Sequence, residues 1–471
     1  MDSKVGKENL SQYRKAYFIG AGGIGMANLE RFLLQNGFMV GGYDRTKSEL
    51  CAQLENEGVE MTYNDEVEEI PEAFHDPKET LVVFTPAVPS DSPILDWFRN
   101  NGFEVVKRSE LLGKITRTTK SICVAGSHGK TTTCSMIANI LRNSHLGCNA
   151  FLGGILRNTG SNLVLNAESE WSVAEADEYD RSFHRLAPTI AVVTSVDPDH
   201  LDIYGDEEGY LEGFAHFTSL IKENGLLLMH TGLKLKPRLK KGVRLMTYSG
   251  GTEGDWHAED IKFGEGTITF TLIGPGIRLE GLEPGVPVEI NIENAVAAAA
   301  ACLTAGATPE EVKAGLREFR GAKRRFEVIM DGKDGCPVFI DDYAHSPNEV
   351  FASIRSVKKL FPDKKITVIF QPHLYSRTRD FAPEFAKALS VADEVIMPEI
   401  YPAREQPIPG VDSNLILRDV DCGSKTYCER KDLLNLIKNR NFDVLMTLGA
   451  ADIDVMIPDI KSILSQKPQN A

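Results

Sequence analysis

A glycine-rich turn set between a short apolar run and a helix-like segment is the feature that most narrows what this chain can fold into. Ser121-Ile122-Cys123-Val124-Ala125 has the composition of a strand buried on both faces, and Met136-Ile137-Ala138-Asn139-Ile140-Leu141 reads as a helix. Between them run Gly126-Ser127-His128-Gly129-Lys130-Thr131-Thr132-Thr133. Such a turn offers backbone N–H groups to an anion, and the helix N-terminus adds its positive dipole end. Lys130 can reach terminal phosphates, and the Thr131 hydroxyl can ligate Mg²⁺. The standard phosphate loop has a glycine five residues before its second; here that position is Val124, which leaves a tighter Gly-x-x-Gly-Lys-Thr-Thr loop. The pattern implies a parallel α/β sheet that binds a nucleoside triphosphate.

Two further α/β blocks flank this one. The first opens with the strand Ala16-Tyr17-Phe18-Ile19, then Gly20-Ala21-Gly22-Gly23-Ile24-Gly25, a helix to about Asn36, and a strand through Met39-Val40 ending near Asp44. The glycines fit a dinucleotide-type turn, and Asp44 stands where a ribose-binding acid would sit. Alone, this half suggests a nicotinamide-dependent oxidoreductase; beside the phosphate loop it suggests a second, nucleotide-linked ligand. Thr80 to Phe84 and Glu104 to Val106 read as strands, and the polar stretch Gly113 to Lys120 as a linker. In the middle block, strands are expected at Trp171 to Ala174 and Ile190 to Thr194, a hairpin pair within residues 243–290, and an Ala-rich helix from Asn294. The third block, after Gly321, alternates strands at Val338–Ile340, Ile366–Phe370, Glu394–Met397 and Val444–Thr447 with helices near Val350–Leu360 and Phe381–Leu389. The expected fold is α/β in three domains: an N-terminal Rossmann-like domain (1–115), a central P-loop ATPase-like parallel sheet with helices (116–322), and a C-terminal Rossmann-like domain (323–471).

Composition removes other classes. A net charge of −15 over 471 residues disfavours nucleic acid or an anionic membrane as partner, since both need a basic footprint. The apolar stretch Asn294 to Ala307 is too short to span a bilayer, and Met1 to Lys15 lacks a signal-peptide core. The eight cysteines are scattered without a Cys-x-x-Cys, as expected of small buried hydrophobes in a cytoplasmic protein.

Other clusters bear chemistry. Glu175-Ala176-Asp177-Glu178-Tyr179-Asp180 and Asp197-Pro198-Asp199-His200-Leu201-Asp202 each follow an expected strand of the phosphate-loop block. Carboxylates and a histidine there suit a divalent metal beside triphosphate oxygens. In the third block, Asp341-Asp342-Tyr343-Ala344-His345-Ser346-Pro347 ends one strand, and Gln371-Pro372-His373-Leu374-Tyr375-Ser376-Arg377-Thr378-Arg379-Asp380 follows the next. Arg377 and Arg379, beside two histidines and a tyrosine, could clamp a carboxylate or phosphate. Lys323-Arg324-Arg325 is either a solvated basic hinge or a closing phosphate clamp.

Together these motifs resemble the ATP-dependent Mur ligases of peptidoglycan synthesis, from about Tyr17 to Leu448, and within them the alanine-adding branch. Gly20 to Met26, Gly126 to Thr133, Glu175 to Glu178, Asp199 to Asp202, Asp341 to His345, Gln371 to Asp380 and Ile408 to Ser413 carry the resemblance. It implies that a sugar carboxylate is activated by ATP as an acyl phosphate and captured by an amine, with UDP-N-acetylmuramate and L-alanine as substrates and Mg²⁺ or Mn²⁺ as the metal. By motif, Gly20, Gly22, Gly23, Ile24, Gly25 and Asp44 would hold the UDP-sugar. Gly126, Ser127, His128, Gly129, Lys130, Thr131 and Thr132 would hold ATP. Asn291 and Asn294 match an adenine-contacting pair, and Arg325 would close on the nucleotide. Thr131 and Glu175 would bind the metal, with His200 at a second metal or the transferring phosphate. Tyr343, His345, Arg377 and Arg379 would hold the amino acid; Lys130, His200 and Arg377 would act in catalysis.

The chain departs from the family pattern at Ile290, where a histidine is common, and at Ser346, where a second histidine follows the first. No lysine occurs from Asp202 to Ile221, where several relatives carry a carbamylated one; this fits the alanine-adding branch. The rival within the class is the muropeptide-recycling ligase, which attaches a tripeptide to the same sugar nucleotide. A nucleotide-binding regulator without turnover is a non-catalytic rival.

Overall fold

The computed structural model describes residues 10–466 apart from 199, 265–266, 334, 404 and 451. It divides into two compact units: one runs through Ile155 and includes Thr159–His257 and Val296–Gly315; the other comprises Leu156–Asn158, Ala258–Ala295 and the chain from Leu316.

The first unit contains two sheets. Strands β1 (Lys15–Ile19), β2 (Met39–Tyr43), β3 (Glu60–Thr62), β4 (Thr80–Phe84) and β5 (Glu104–Lys107) form a parallel sheet in the order β3-β2-β1-β4-β5. Helices α1 (Ile24–Gln35), α2 (Glu49–Glu57), α3 (Pro93–Asn100) and α4 (Arg108–Thr118) connect these strands and lead out of the last. On β1, Ala16 and Phe18 pack in one core with Met26 and Leu33, while Tyr17 and Ile19 pack in another with Ile94 and Phe98. A strand apolar from Ala16 to Ile19 is thus covered on both faces, as a parallel sheet requires.

The expected linker at Gly113 to Lys120 is instead the second half of α4 followed by the next strand. Its polar residues are satisfied internally: the Thr116 hydroxyl donates to the Gly113 carbonyl (2.9 Å), and buried Lys114 pairs with Glu104 (2.9 Å). Gly113 admits a close approach, since a Cβ there would stand 2.4 Å from the Arg185 carbonyl oxygen.

The second sheet of this unit comprises β6 (Lys120–Ala125), β7 (Asn149–Leu156), β8 (Ser161–Val164), β9 (Trp171–Ala176), β10 (Ile190–Val193), β11 (Leu226–His230) and β12 (Arg244–Tyr248), in the order β12-β11-β10-β6-β9-β7-β8. Around it lie α5 (Lys130–Arg142), α6 (Leu201–Tyr204), α7 (Glu207–Ser219), the Ala-rich part of α8 (Ile290–Ala305) and α9 (Pro309–Arg317). Strand β6 lies between β9 and β10 and is parallel to both, so the carboxyl ends of its neighbours flank the loop it feeds. The expected hairpin pair within 243–290 is only part of what forms: Arg244–Tyr248 pairs in parallel with β11.

In the second unit, β13 (His257–Gly264), β14 (Thr267–Gly274) and β15 (Ile277–Leu282) make a three-stranded sheet. Strands β16 (Glu327–Asp331), β17 (Val338–Asp342), β18 (Ile366–Phe370), β19 (Glu394–Met397), β20 (Ser424–Tyr427) and β21 (Val444–Leu448) make a six-stranded one, ordered β16-β17-β21-β18-β19-β20. Only the edge strand β16 runs antiparallel to its neighbour. Helices α10 (Pro347–Leu360), α11 (Tyr375–Asp380) and α12 (Ala382–Leu389) follow β17 and β18.

All eight cysteines are free and six are buried; burial pushes the thiols of Cys123 and Cys148 up to about 12. No helix among the described residues is long and apolar enough to cross a membrane.

Candidate active site

The phosphate loop is shaped by its glycines and braced from β10. Gly126 has φ +145° and Gly129 φ +81°, values that L side chains rarely adopt. A Cβ on Gly126 would lie 2.0 Å from the Thr194 hydroxyl oxygen. The Ser127 N–H donates to the Ser195 carbonyl (3.3 Å) and the His128 N–H to the Ser195 hydroxyl (2.8 Å). Ser127 Oγ donates to the Asp197 carbonyl (2.6 Å). The amides of Ser127 and His128, expected at the phosphates, therefore hold the loop to the strand beside it. The first intrahelical bond of α5 runs from Thr133 N to the Gly129 carbonyl (2.9 Å), so the amides of the first helical turn face out of the helix end.

Four side chains gather at that helix end, in two pairs. The Thr131 hydroxyl lies 3.0 and 3.1 Å from the two oxygens of Glu175, at the end of β9. The Gly153 amide, on β7, donates to Glu175 Oε2 (3.0 Å). A Cβ on Gly153 would fall 2.2 Å from that oxygen, so glycine is needed for the carboxylate to lie where it does. Lys130 Nζ lies 2.9 Å from Glu178 Oε1 and also donates to the Gly126 carbonyl. Burial pushes the carboxyls of Glu175 and Glu178 up, with Lys130 opposing it at both. The Thr131 hydroxyl and the half-buried Glu175 carboxylate are the kind of donors that a hard divalent cation takes, with water and phosphate oxygens completing its shell. Among the described residues no three His, Cys, Asp or Glu side chains gather as a closed metal cage. His200 has φ +53° and its ring packs edge-on against Tyr179 at 4.9 Å. Asp199 lies outside the described residues.

The N-terminal glycine turn sits in the same unit. Gly20 (φ +83°) and Ala21 donate to the Tyr43 carbonyl at 2.8 and 3.0 Å. The Asp44 carboxylate accepts from Gly22 N (2.8 Å) and Thr46 N (3.0 Å), so it braces the turn itself. Ile24 is 65% exposed at the tip. A cavity of about 150 Å³ runs from Gly25, Asn28 and Arg108 to Phe151, Gly153 and Glu175. The Arg108 guanidinium lies over Gly25, where a Cβ would meet Nη1 at 2.9 Å. The cavity thus joins the glycine turn to the carboxylate beside the phosphate loop.

In the second unit, Tyr343 and His345 follow β17. The His345 Nδ1–H donates to the Tyr343 carbonyl (3.0 Å), and the same nitrogen lies 3.3 Å from Glu349. Burial pushes its pKa down; among the weaker influences Glu349 opposes this, while Arg377 and Arg325 add to it. These four residues are therefore electrostatic neighbours. The guanidiniums of Arg324 and Arg325 lie 5.0 and 5.1 Å from the Tyr343 ring centroid. Ser346 is the N-cap of α10 in a capping box with Glu349. Arg377 is half-buried, with no ion-pair partner among the described residues. Arg379 does not point the same way as Arg377. Two positions along a helix turn the side chain about 200° away, and it forms an exposed pair with Asp380 (2.7 Å). Asn291 and Asn294 lie buried one turn apart at the start of α8, the Asn294 amide donating to Asn291 (3.0 Å), with Ile290 half exposed beside them.

Gly153 and Arg108 have no role in the sequence motifs, and Glu178 enters them only within a carboxylate cluster suited to a metal. Gly153 had a signal, a paired glycine inside a strand, which marks close approach of another group.

Comparison with known proteins adds three matches along the chain: Mur ligase family, catalytic domain (residues 15–120), Mur ligase middle domain (124–302) and Mur ligase, glutamate ligase domain (324–450). The chain is 52% identical over 460 residues to the UDP-N-acetylmuramate–L-alanine ligase of Phocaeicola vulgatus, covering 98% of this chain and 100% of that protein. It is 49% identical to the ligase of the same description from Porphyromonas gingivalis, covering 96% and 99%. Among solved structures, the UDP-N-acetylmuramate–alanine ligase MurC of Thermotoga maritima superposes with a TM-score of 0.73 at 27% identity, covering 96% of this chain and 100% of that one. A murein peptide ligase from Psychrobacter arcticus shares the fold, with a TM-score of 0.57 at 21% identity over 96% and 99%.

Proposed function

The chain belongs to the Mur ligase family, and from that premise we propose that it joins L-alanine to UDP-N-acetylmuramate at the cost of ATP. The observation that carries this reading is a single edge of the first unit: the phosphate-loop lysine, the Thr131–Glu175 pair and a cavity reaching from Glu175 to the glycine turn. Two relatives described as UDP-N-acetylmuramate–L-alanine ligases, about half identical over nearly the whole chain, support the same reading. We assign the sugar nucleotide to residues 1–115, ATP to 116–322 and the amino acid to 323–471.

The chemistry is a two-step exchange. The sugar's carboxylate oxygen attacks the γ-phosphorus of ATP, ADP leaves, and an acyl phosphate forms. The amine of alanine then attacks the acyl carbon, phosphate leaves, and the amine loses a proton as the amide forms. Lys130 and the α5 amides supply fixed positive charge where phosphoryl oxygens gain negative charge. Thr131 and Glu175 would hold Mg²⁺, which neutralises triphosphate charge when bound. Arg377 offers a planar fork for the alanine carboxylate, and His345, its pKa lowered by burial, stands beside it as a neutral partner. ATP and a sugar nucleotide are cytoplasmic substrates, and we place the reaction there.

The test is phosphate release from ATP with each substrate omitted in turn. Release should require both UDP-N-acetylmuramate and L-alanine. Release with the sugar nucleotide absent, or a tripeptide replacing alanine as the better acceptor, would overturn the reading.

A further inference from the structure

We propose that Glu178 is a positioning residue that stores and aims the Lys130 ammonium, so that its carboxylate competes with nucleotide for that charge before binding and restricts the lysine's reach afterwards. The inference deepens the ATP-ligase reading and rests on it.

Lys130 begins α5, yet its side chain turns back across the loop. Its ammonium donates to the carbonyl of Gly126, four residues earlier, and lies 2.9 Å from Glu178 Oε1. The two side chains are only 14% and 3% exposed. Water screens such a pair poorly, so each charge strongly governs where the other rests.

The two partners are not equally free to move. The Glu178 carbonyl accepts from the Tyr204 hydroxyl (2.7 Å) and from the Arg181 amide (3.0 Å), which pins its backbone. The carboxylate is buried, and its second oxygen, Oε2, has no hydrogen-bond partner among the described residues. Glu178 therefore cannot follow the ammonium outward. Lys130, on a flexible four-carbon stem, is the part that swings. A triphosphate on the loop must draw the ammonium off Glu178 Oε1, and the fixed carboxylate limits the arc through which it moves. Glu178 touches neither reacting atom in this account; it acts through Lys130.

Glu178→Gln removes the charge and keeps the shape, and two opposite effects should follow. The magnesium complex of β,γ-imido-ATP should bind roughly threefold or more tightly, because a buried negative charge beside the triphosphate is gone and the ammonium is released. The kcat for phosphate release should fall about tenfold or more, because the freed ammonium samples orientations that do not meet the transferring group. A residue that served only the fold would lower the melting temperature without dividing affinity from turnover in this way. Calorimetric titration of the imido analogue and steady-state phosphate release read the two effects separately. Unchanged or weaker analogue binding, or an unchanged kcat, would overturn the proposal.

Glu178→Asp keeps the charge but draws it back by one methylene. Its analogue affinity should stay near wild type while kcat falls, and an unchanged kcat would also overturn the proposal; this variant decides the matter if Glu178→Gln does not fold. Wild-type phosphate release that ignored the sugar nucleotide or alanine would sink the ligase reading, while the comparison of analogue affinities would still judge Glu178.

Discussion

Gly153→Ala tests whether the Thr131–Glu175 pair is the metal-side anchor of the nucleotide. The added Cβ would stand 2.2 Å from Glu175 Oε2, whereas real Cβ atoms essentially never approach within 3.0 Å. The carboxylate must then retreat by about 0.8 Å, the difference between those two distances. Because β9 lies between β7 and β6, a retreat from β7 drives the carboxylate toward the Thr131 hydroxyl, now at 3.0 and 3.1 Å, and forces that pair out of its hydrogen-bonding geometry. A hydrogen bond to a charged group contributes about 1.5–3 kcal/mol, which converts to roughly a 10- to 150-fold effect. Gly153 has no positive φ, so alanine brings no backbone strain. We therefore expect kcat to fall ~10–10²-fold, or the Mg²⁺ concentration for half-maximal activity to rise by that factor, with the melting temperature nearly unchanged. Phosphate release across a Mg²⁺ titration, beside a thermal melt, measures both. Wild-type kcat with a wild-type Mg²⁺ requirement would refute the reasoning, because the carboxylate would then have moved without consequence.

Lys130→Ala should lower kcat by ~10²–10³, the loss expected for one preorganised electrostatic donor; an effect confined to the KM for ATP would assign Lys130 to ground-state binding alone. Arg377→Lys should raise the KM for L-alanine strongly and leave nucleotide affinity intact, since lysine lacks the planar fork; an unchanged KM for L-alanine removes Arg377 from the amino-acid site. Burial, opposed by Thr447 and Arg324, holds the Asp341 carboxyl up at about 6 against 3.8 in the open chain. The folded form then binds this proton more tightly, so the contribution to stability is full below about pH 4 and is lost as pH rises through 6. Thermal melts of Asp341→Asn against wild type should show a difference that moves in the variant's favour from pH 4 to 7, by at most about 3 kcal/mol; a difference that ignores pH contradicts this assignment.

What the sequence determined by itself is local. Gly20 to Gly25 and Gly126 to Thr131 are legible because each turn needs glycines at fixed offsets and each follows a strand apolar on both faces. Lys130 and Thr131 are legible because one helix start carries them both. The three-block order and the strands at Ile366–Phe370 and Glu394–Met397 follow from short runs rich in β-branched and other apolar residues. Other features were decided only by tertiary packing. Glu175 meets Thr131 because β6 lies beside β9 in the sheet, and Gly153 meets Glu175 because β7 is next in line. Strand order is a long-range property that no local period encodes. The segment 113–120 looked like a linker because its polar groups were visible while their partners, Glu104 and the helix's own carbonyls, were not. Asp44 stands at the spacing of a ribose acid, and only folding shows that its carboxylate also accepts from the amides of Gly22 and Thr46. Spacing in a sequence places a functional group near a turn; which partner it takes is settled by the amides and charges that folding brings within its reach.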